Sequence, residues 1–297
     1  MSLQSFLFRF NCKRNDDKRD AGLSTPPGVL RCDNLCYGPD KKWQRLDLYR
    51  PRGAAEPLPV IVSVHGGGWV YGDKERYQYY CMSLVEHGFA VVNFTYRLAP
   101  EHKFPAQLQD VDLVFHWLLR HAERYHLDAR HVFALGDSAG AHLLGLYCCA
   151  CGDADFAAAC ALQPPEGFRP TAVALNCGVY HIDPPKPGER ANPLLADLLP
   201  NKGTAEELRQ ISVLEHLNES FPPALVMTCE GDFLAEAAPP LVQRLESLGV
   251  PAEYRYYGDR DHVLGHVFHC NMRLAEAARC NREECDFFRS FLPQQRA

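Results

Sequence analysis

The chain has 297 residues, of which 46% are hydrophobic and 23% charged, an ordinary globular composition that excludes a fibrous or disordered chain. Lys plus Arg total 31 against 37 for Asp plus Glu, a net charge of −6, and so mild an acidity lacks the basic footprint of a nucleic-acid binder or of a protein held on anionic lipid. The expected partner is a small molecule, and the length suits one large domain spanning residues 1–297.

Met1 to Phe10 is a short apolar stretch broken by Arg9, with charged residues following from Lys13 to Asp20; it lacks the uninterrupted apolar core and small-residue cleavage site of a signal peptide. Residues 1–40 are read as a short N-terminal segment carrying a weak first strand around Cys32–Tyr37. Further strands are expected at Arg45–Tyr49, Val60–Val64, Ala90–Phe94, His131–Leu135, Ala172–Asn176, Ala224–Thr228 and Glu253–Tyr257. Helical patterns separate them: Leu108, Val111, Val114, Phe115, Leu118 and Leu119 share one face, and Ala237, Leu241, Leu245 and Leu248 another before Gly249, a helix stop. This alternation is the signature of an α/β protein, a mostly parallel eight-stranded sheet flanked by helices on both faces. It breaks at residues 181–220, where Pro184, Pro185 and Pro187 precede two short helical stretches; an irregular insertion of that length is expected to form a small cap or lid over a site. No apolar run is long enough to span a membrane.

Thirteen cysteines are an odd number, and several lie in apolar runs such as Leu146-Tyr147-Cys148-Cys149-Ala150-Cys151. A chain of this length buries enough apolar surface without disulfides, so the cysteines are read as reduced, small core residues of a cytoplasmic protein. Cys148-x-x-Cys151 has metal or redox spacing, but no second Cys or His pair completes a site, and no grouping elsewhere fits a metal or a dinucleotide. No cofactor is expected.

Two motifs carry chemistry. Gly136-Asp137-Ser138-Ala139-Gly140 fits G-x-S-x-G between a strand and a helical run, where a sharp turn presents the Ser138 hydroxyl beside a helix N-terminus and the flanking glycines avoid clashes. His65-Gly66-Gly67-Gly68-Trp69 ends the strand Val60–Val64, and a glycine run lets backbone N–H groups approach an oxyanion. Gly67 and Gly68, joined by Ala139 directly after the serine, are the expected donors. Trp69, Tyr71 and Phe233 are candidates to line a pocket, while Asp137 and His142 are read as structural.

These motifs, together with Tyr96-Arg97-Leu98-Ala99-Pro100-Glu101 and Phe104-Pro105-Ala106 with Asp110, resemble the hormone-sensitive-lipase-like branch of the α/β-hydrolases, the bacterial family IV carboxylesterases, from about Leu46 to about Phe268. The resemblance implies an α/β-hydrolase fold, a serine esterase activity and a Ser–Asp–His triad under a cap. Asp232, in Gly231-Asp232-Phe233-Leu234, resembles the family's Asp-Pro-Leu with Phe233 replacing proline and is the implied acid; Glu230 is its competitor, otherwise the partner of a cation. Three histidines follow the last strand. His266-Val267-Phe268 best matches the family's His-Gly-Phe and is taken as the base, His262 in a charged stretch stays open, and His269 falls in the expected last helix. The expected reaction is hydrolysis of carboxylic esters of short acyl chains. An arylformamidase or carbohydrate deacetylase on the same scaffold, and a non-catalytic small-molecule receptor, remain as alternatives, and the sequence leaves a homodimer open.

Overall fold

The computed structural model describes residues 1–184 and 192–293; Pro185 and Pro187, and with them part of the expected cap, lie outside the described residues. Eight strands, β1 (Val29–Cys36), β2 (Arg45–Pro51), β3 (Leu58–Val64), β4 (Ala90–Thr95), β5 (Leu127–Asp137), β6 (Val173–Asn176), β7 (Ala224–Cys229) and β8 (Ala252–Tyr257), form one sheet. Their spatial order is β1-β2-β4-β3-β5-β6-β7-β8. β2 pairs antiparallel with both β1 and β4, and every other pair is parallel, so the expected fold class is the one observed. β4, β6 and β7 are buried along their whole length, which is why they read as continuous apolar runs rather than alternating ones.

Helices cover both faces. α2 (Lys74–Val85) and α10 (Ala275–Arg289) pack one layer through Tyr80, Leu84 and Phe288 against Phe133 of β5. α3 (Ala106–His121), α4 (Ala139–Gly152) and α9 (Ala238–Ser247) pack the other through Phe115, Leu144, Tyr147 and Leu241. α4 is buried from Ala139 to Ala150, so Cys148 and Cys149 are close-packed small side chains in a helix apolar all round.

Four short helical pieces and the N-terminal segment complete the described fold. α5 (Ala154–Ala159) follows α4; α6 (Pro193–Leu198), α7 (Ala205–Gln210) and α8 (Val213–His216) form the described part of the insertion. α7 starts with a capping box in which Thr204 and Glu207 satisfy each other's backbone N–H groups.

The N-terminal segment departs from its sequence reading. Leu3–Asp20 is an 18-residue helix, α1, capped by the Ser2 hydroxyl and lying against α6, where the Ser2 N–H donates to Asp197 at 2.8 Å. Its hydrophobic residues give no usable periodic signal, because Leu3, Phe6, Leu7 and Phe10 face solvent while Phe8 and polar groups do the docking. Arg9 Nε donates to the Val70 carbonyl at 2.6 Å, and its Nη2 to the Ala99 carbonyl at 2.7 Å and to Glu101 at 2.8 Å. A helix held by hydrogen bonds to loop carbonyls carries little trace in hydropathy. Arg9→Ala is expected to cost about 1–2 kcal/mol, concentrated in α1. Hydrogen exchange should rise across Leu3–Asp20 with little change in the sheet; unchanged exchange in α1 contradicts this docking.

Candidate active site

Ser138 joins β5 directly to α4. It has φ 56° and ψ −116°, a left-handed backbone that a non-glycine residue adopts only when its surroundings force it. The forcing is steric. A side chain at Gly140 would place its Cβ 2.0 Å from the Val64 carbonyl oxygen, and one at Gly136 would lie 2.5 Å from the Gly140 oxygen. Their absence lets the turn press onto β3, and the Ser138 N–H donates to Asn176 O at 2.8 Å.

The glycine turn after β3 is held from three sides. The His65 ring stacks on Tyr96 with centroids 4.0 Å apart, and burial pushes its pKa down to about 4, so the neutral ring donates Nδ1–H to Gly66 O at 2.7 Å. The Gly66 N–H donates to Tyr77 Oη at 2.9 Å. Trp69 Nε1 donates to His142 Nδ1 at 3.2 Å, and His142 Nε2 in turn donates to Ile211 O at 2.7 Å. Burial also holds His142 down, at about 4, as this neutral tautomer requires. His142 is therefore a core histidine that ties the turn to the insertion. Gly67 has φ 118°, and a Cβ there would stand 2.1 Å from Tyr71 O. Among the described residues, the Gly67 and Gly68 N–H groups donate to no backbone carbonyl, and Ala139 opens α4, whose first N–H groups have no acceptor within the helix.

Asp232 follows the end of β7. Its Oδ1 accepts from Leu234 N at 2.9 Å and faces His266 Nδ1 at 2.6 Å, while Oδ2 accepts from Thr228 at 2.7 Å. Burial pushes its carboxyl up, but the His266 contact and these donors outweigh it and hold the pKa at about 2. His266 lies just before Val267, itself left-handed at φ 52°, and its side chain is one-fifth exposed. Ser138, Ala139, Gly67, Gly68 and His266 all line one cavity of about 600 Å³. Trp69, Tyr71 and Phe233 line it too, and Phe233 packs its ring 4.4 Å from that of His266. α1 and α6 complete the roof through Phe8, Asp16, Leu194 and Leu195.

The other candidates lie elsewhere. His262 is on the surface, its Nε2 2.9 Å from Glu276. Among the described residues Glu230 meets no cation: it accepts from the Tyr256 hydroxyl at 2.6 Å, since β8 is the exposed edge strand and brings that tyrosine alongside. His269 is wholly buried, not in the last helix but in a 3₁₀ turn before it, and its Nε2 is 2.6 Å from Asp137 Oδ1.

That contact belongs to a sealed polar cluster beneath the serine turn that sequence reasoning missed. Asn176 Nδ2 donates to both Asp137 Oδ1 at 3.0 Å and Glu284 Oε1 at 2.6 Å, and Tyr80 Oη donates to Glu284 Oε2 at 2.9 Å. Burial works against a charged His269, yet its contacts with Cys270 and Asp137 favour the protonated ring. Burial pushes Glu284 up to about 7, with His269 pulling the other way. Only its spacing on α10 hinted at Glu284: an acidic residue on the helix face that carries Cys280, Phe287 and Phe288 inward.

Fold and cavity together define an α/β-hydrolase. The model of the BD-FAE family matches residues 46–238, and the chain belongs to that family. It is similar to esterase LipC of Mycobacterium tuberculosis, 29% identical over 245 residues that cover 75% of this chain and 59% of LipC. It is also similar to the versiconal hemiacetal acetate esterase of Dothistroma septosporum, 28% identical over 73% of this chain and 70% of that one. Among solved structures, an inhibited esterase B from Lactobacillus rhamnosis superposes with a TM-score of 0.84 at 25% identity, covering 97% of this chain and 95% of that one.

The raised Glu284 carboxyl has a thermodynamic consequence. Between its ordinary 4.5 and about 7 the unfolded chain gives up a proton that the folded chain keeps, so stability falls as pH rises through that window. Glu284→Gln removes this titration. Relative to the variant, the wild type is expected to lose on the order of 3 kcal/mol between about pH 4.5 and 7, read as diverging Tm values; parallel Tm profiles contradict a raised Glu284.

Proposed function

We propose that the chain hydrolyses carboxylic esters of small molecules through an acyl-enzyme formed on Ser138. The observation that carries this reading is the Asp232–His266 pair at 2.6 Å, opening on the same cavity as the strained serine and the glycine turn. Ser138 Oγ attacks the ester carbonyl carbon while His266 Nε2 takes its proton, and Asp232 fixes the tautomer and offsets the imidazolium charge. The N–H groups of Gly67, Gly68 and Ala139 receive the oxyanion. Collapse of the tetrahedral intermediate expels the alcohol, which leaves with the proton from His266; a water molecule, deprotonated by the same ring, then releases the acid and restores the serine.

The roof supports short acyl chains. Leu194 and Phe8 stand 3.0 and 3.3 Å from where a Cβ on Gly68 would lie, so the space over the donors is shallow. The names of the relatives, esterases among them, agree with an ester substrate. Nine of the thirteen cysteines are buried thiols, which suits a reducing compartment such as the cytoplasm.

A fluorophosphonate should label Ser138 alone on peptide mapping and leave Ser138→Ala unmodified. On p-nitrophenyl acetate, His266→Ala is expected to lose about 10³-fold or more in kcat, whereas His262→Ala stays within a factor of a few. Full activity in His266→Ala refutes the assignment. Faster turnover of N-formylkynurenine than of any p-nitrophenyl ester from acetyl to octanoyl would replace the esterase by a formamidase.

A further inference from the structure

Cys177 directly follows β6, and its φ of 48° is left-handed. Its N–H still donates to Met227 O at 2.7 Å, so the backbone remains tied to β7 while the side chain swings into the apolar layer that also holds Met227 and Cys229. That kink carries the thiol beneath the Asp232–His266 pair. The Cys177 sulfur, a carboxylate oxygen of Asp232 and a ring nitrogen of His266 all lie within 4.8 Å of one another.

A thiolate, an imidazole and a carboxylate converging in a buried pocket are the donor set that Zn²⁺ and Cd²⁺ prefer, and one more position is left for water in a tetrahedral shell. Bond lengths of about 2.0–2.3 Å place the ligand atoms of such a shell roughly 3.5 Å apart, so only modest side-chain adjustment is required. The set is invisible in sequence spacing because its members come from the ends of β6 and β7 and from the loop after β8.

We propose that Cys177, Asp232 and His266 form a latent soft-metal site through which Zn²⁺ or Cd²⁺ switches the enzyme off. This rests on His266 being the base. Binding releases the thiol proton of Cys177 to solvent, shifts the His266 ring proton from Nδ1 to Nε2, forms a metal–sulfur bond and replaces the Asp232–His266 hydrogen bond with two metal bonds. The imidazole is then pinned and cannot cycle a proton with Ser138. The route in is the cavity: His266 is the one of the three ligands that lines it.

Cd²⁺ is titrated into the reduced wild-type protein and into Cys177→Ala and Cys177→Ser, reading the thiolate-to-cadmium ultraviolet band and p-nitrophenyl acetate hydrolysis. The wild type should be inhibited reversibly, with activity restored by a chelator. Both variants should keep most of their metal-free activity, tolerate at least about tenfold more Cd²⁺ and lack one cadmium–thiolate equivalent, a loss in the range seen when a metal site is disturbed. Equal sensitivity in the variants, or an unchanged band, overturns the proposal. Because the spectral difference needs no turnover, it still reports on the site if the protein hydrolyses no ester, so failure of the site and failure of the esterase reading are told apart.

Discussion

α4 has to begin against the carbonyl end of β3, and every feature of the cavity depends on that contact. A Cβ on Gly140 would meet Val64 O at 2.0 Å and His65 O at 2.6 Å, so only glycine lets the helix start there. The same closeness leaves Ser138 no ordinary backbone conformation and sets the glycine turn and the first N–H groups of α4 around one space. Parallel pairing of β3 with β5, in which Val64 lies opposite Gly136, supplies the register that brings the two motifs together although they are far apart in the chain. Strain at one residue is maintained because two strands, a helix and a glycine turn over-determine it.

Beneath this contact the protein keeps its polar groups in defined charge states. His65 and His142 are neutral because burial penalises their charged forms; His65 donates its N–H to Gly66 O in the glycine turn, while His142 accepts from Trp69 at the end of that turn and donates its N–H to Ile211 O. Asp137 and His269 are instead held as a pair, with Glu284 alongside. The network holds Asp137, the residue next to Ser138, through Asn176 Nδ2 and His269 Nε2.

Much of this was legible in the residues. Strands buried on both faces announce themselves as apolar runs, and G-x-S-x-G and HGGGW each demand a backbone geometry that few other sequences need. The helix ending at Gly249 could be read because an apolar stripe at Leu241 and Leu245 and a left-handed glycine coincide. α1 was illegible for the opposite reason: its outward face is the apolar one, and its attachment runs through Arg9 to the carbonyls of Val70 and Ala99, partners remote in sequence. Likewise, nothing local in Cys177 foretells that a left-handed kink turns its sulfur toward Asp232 and His266.

The three histidines after β8 show why spacing alone left the base open and what physically separates them. Each has a carboxylate partner: Glu276 for His262, Asp232 for His266 and Asp137 for His269, at 2.9, 2.6 and 2.6 Å. A carboxylate contact is thus no discriminator. Solvation is. The His262 side chain is 59% exposed, so its pair with Glu276 is screened by water. His269 is fully buried, and with no route to substrate its proton has nowhere to go. His266 alone combines an acid that is wholly buried with a ring one-fifth exposed, so that one nitrogen is fixed while the other edge faces the cavity. The ester hydrolysis proposed above would draw on that asymmetry, an imidazole anchored in low dielectric on one side and lining the cavity on the other, and a β7 turn that buries Asp232 beside a loop that leaves His266 at the surface of the cavity is what creates it.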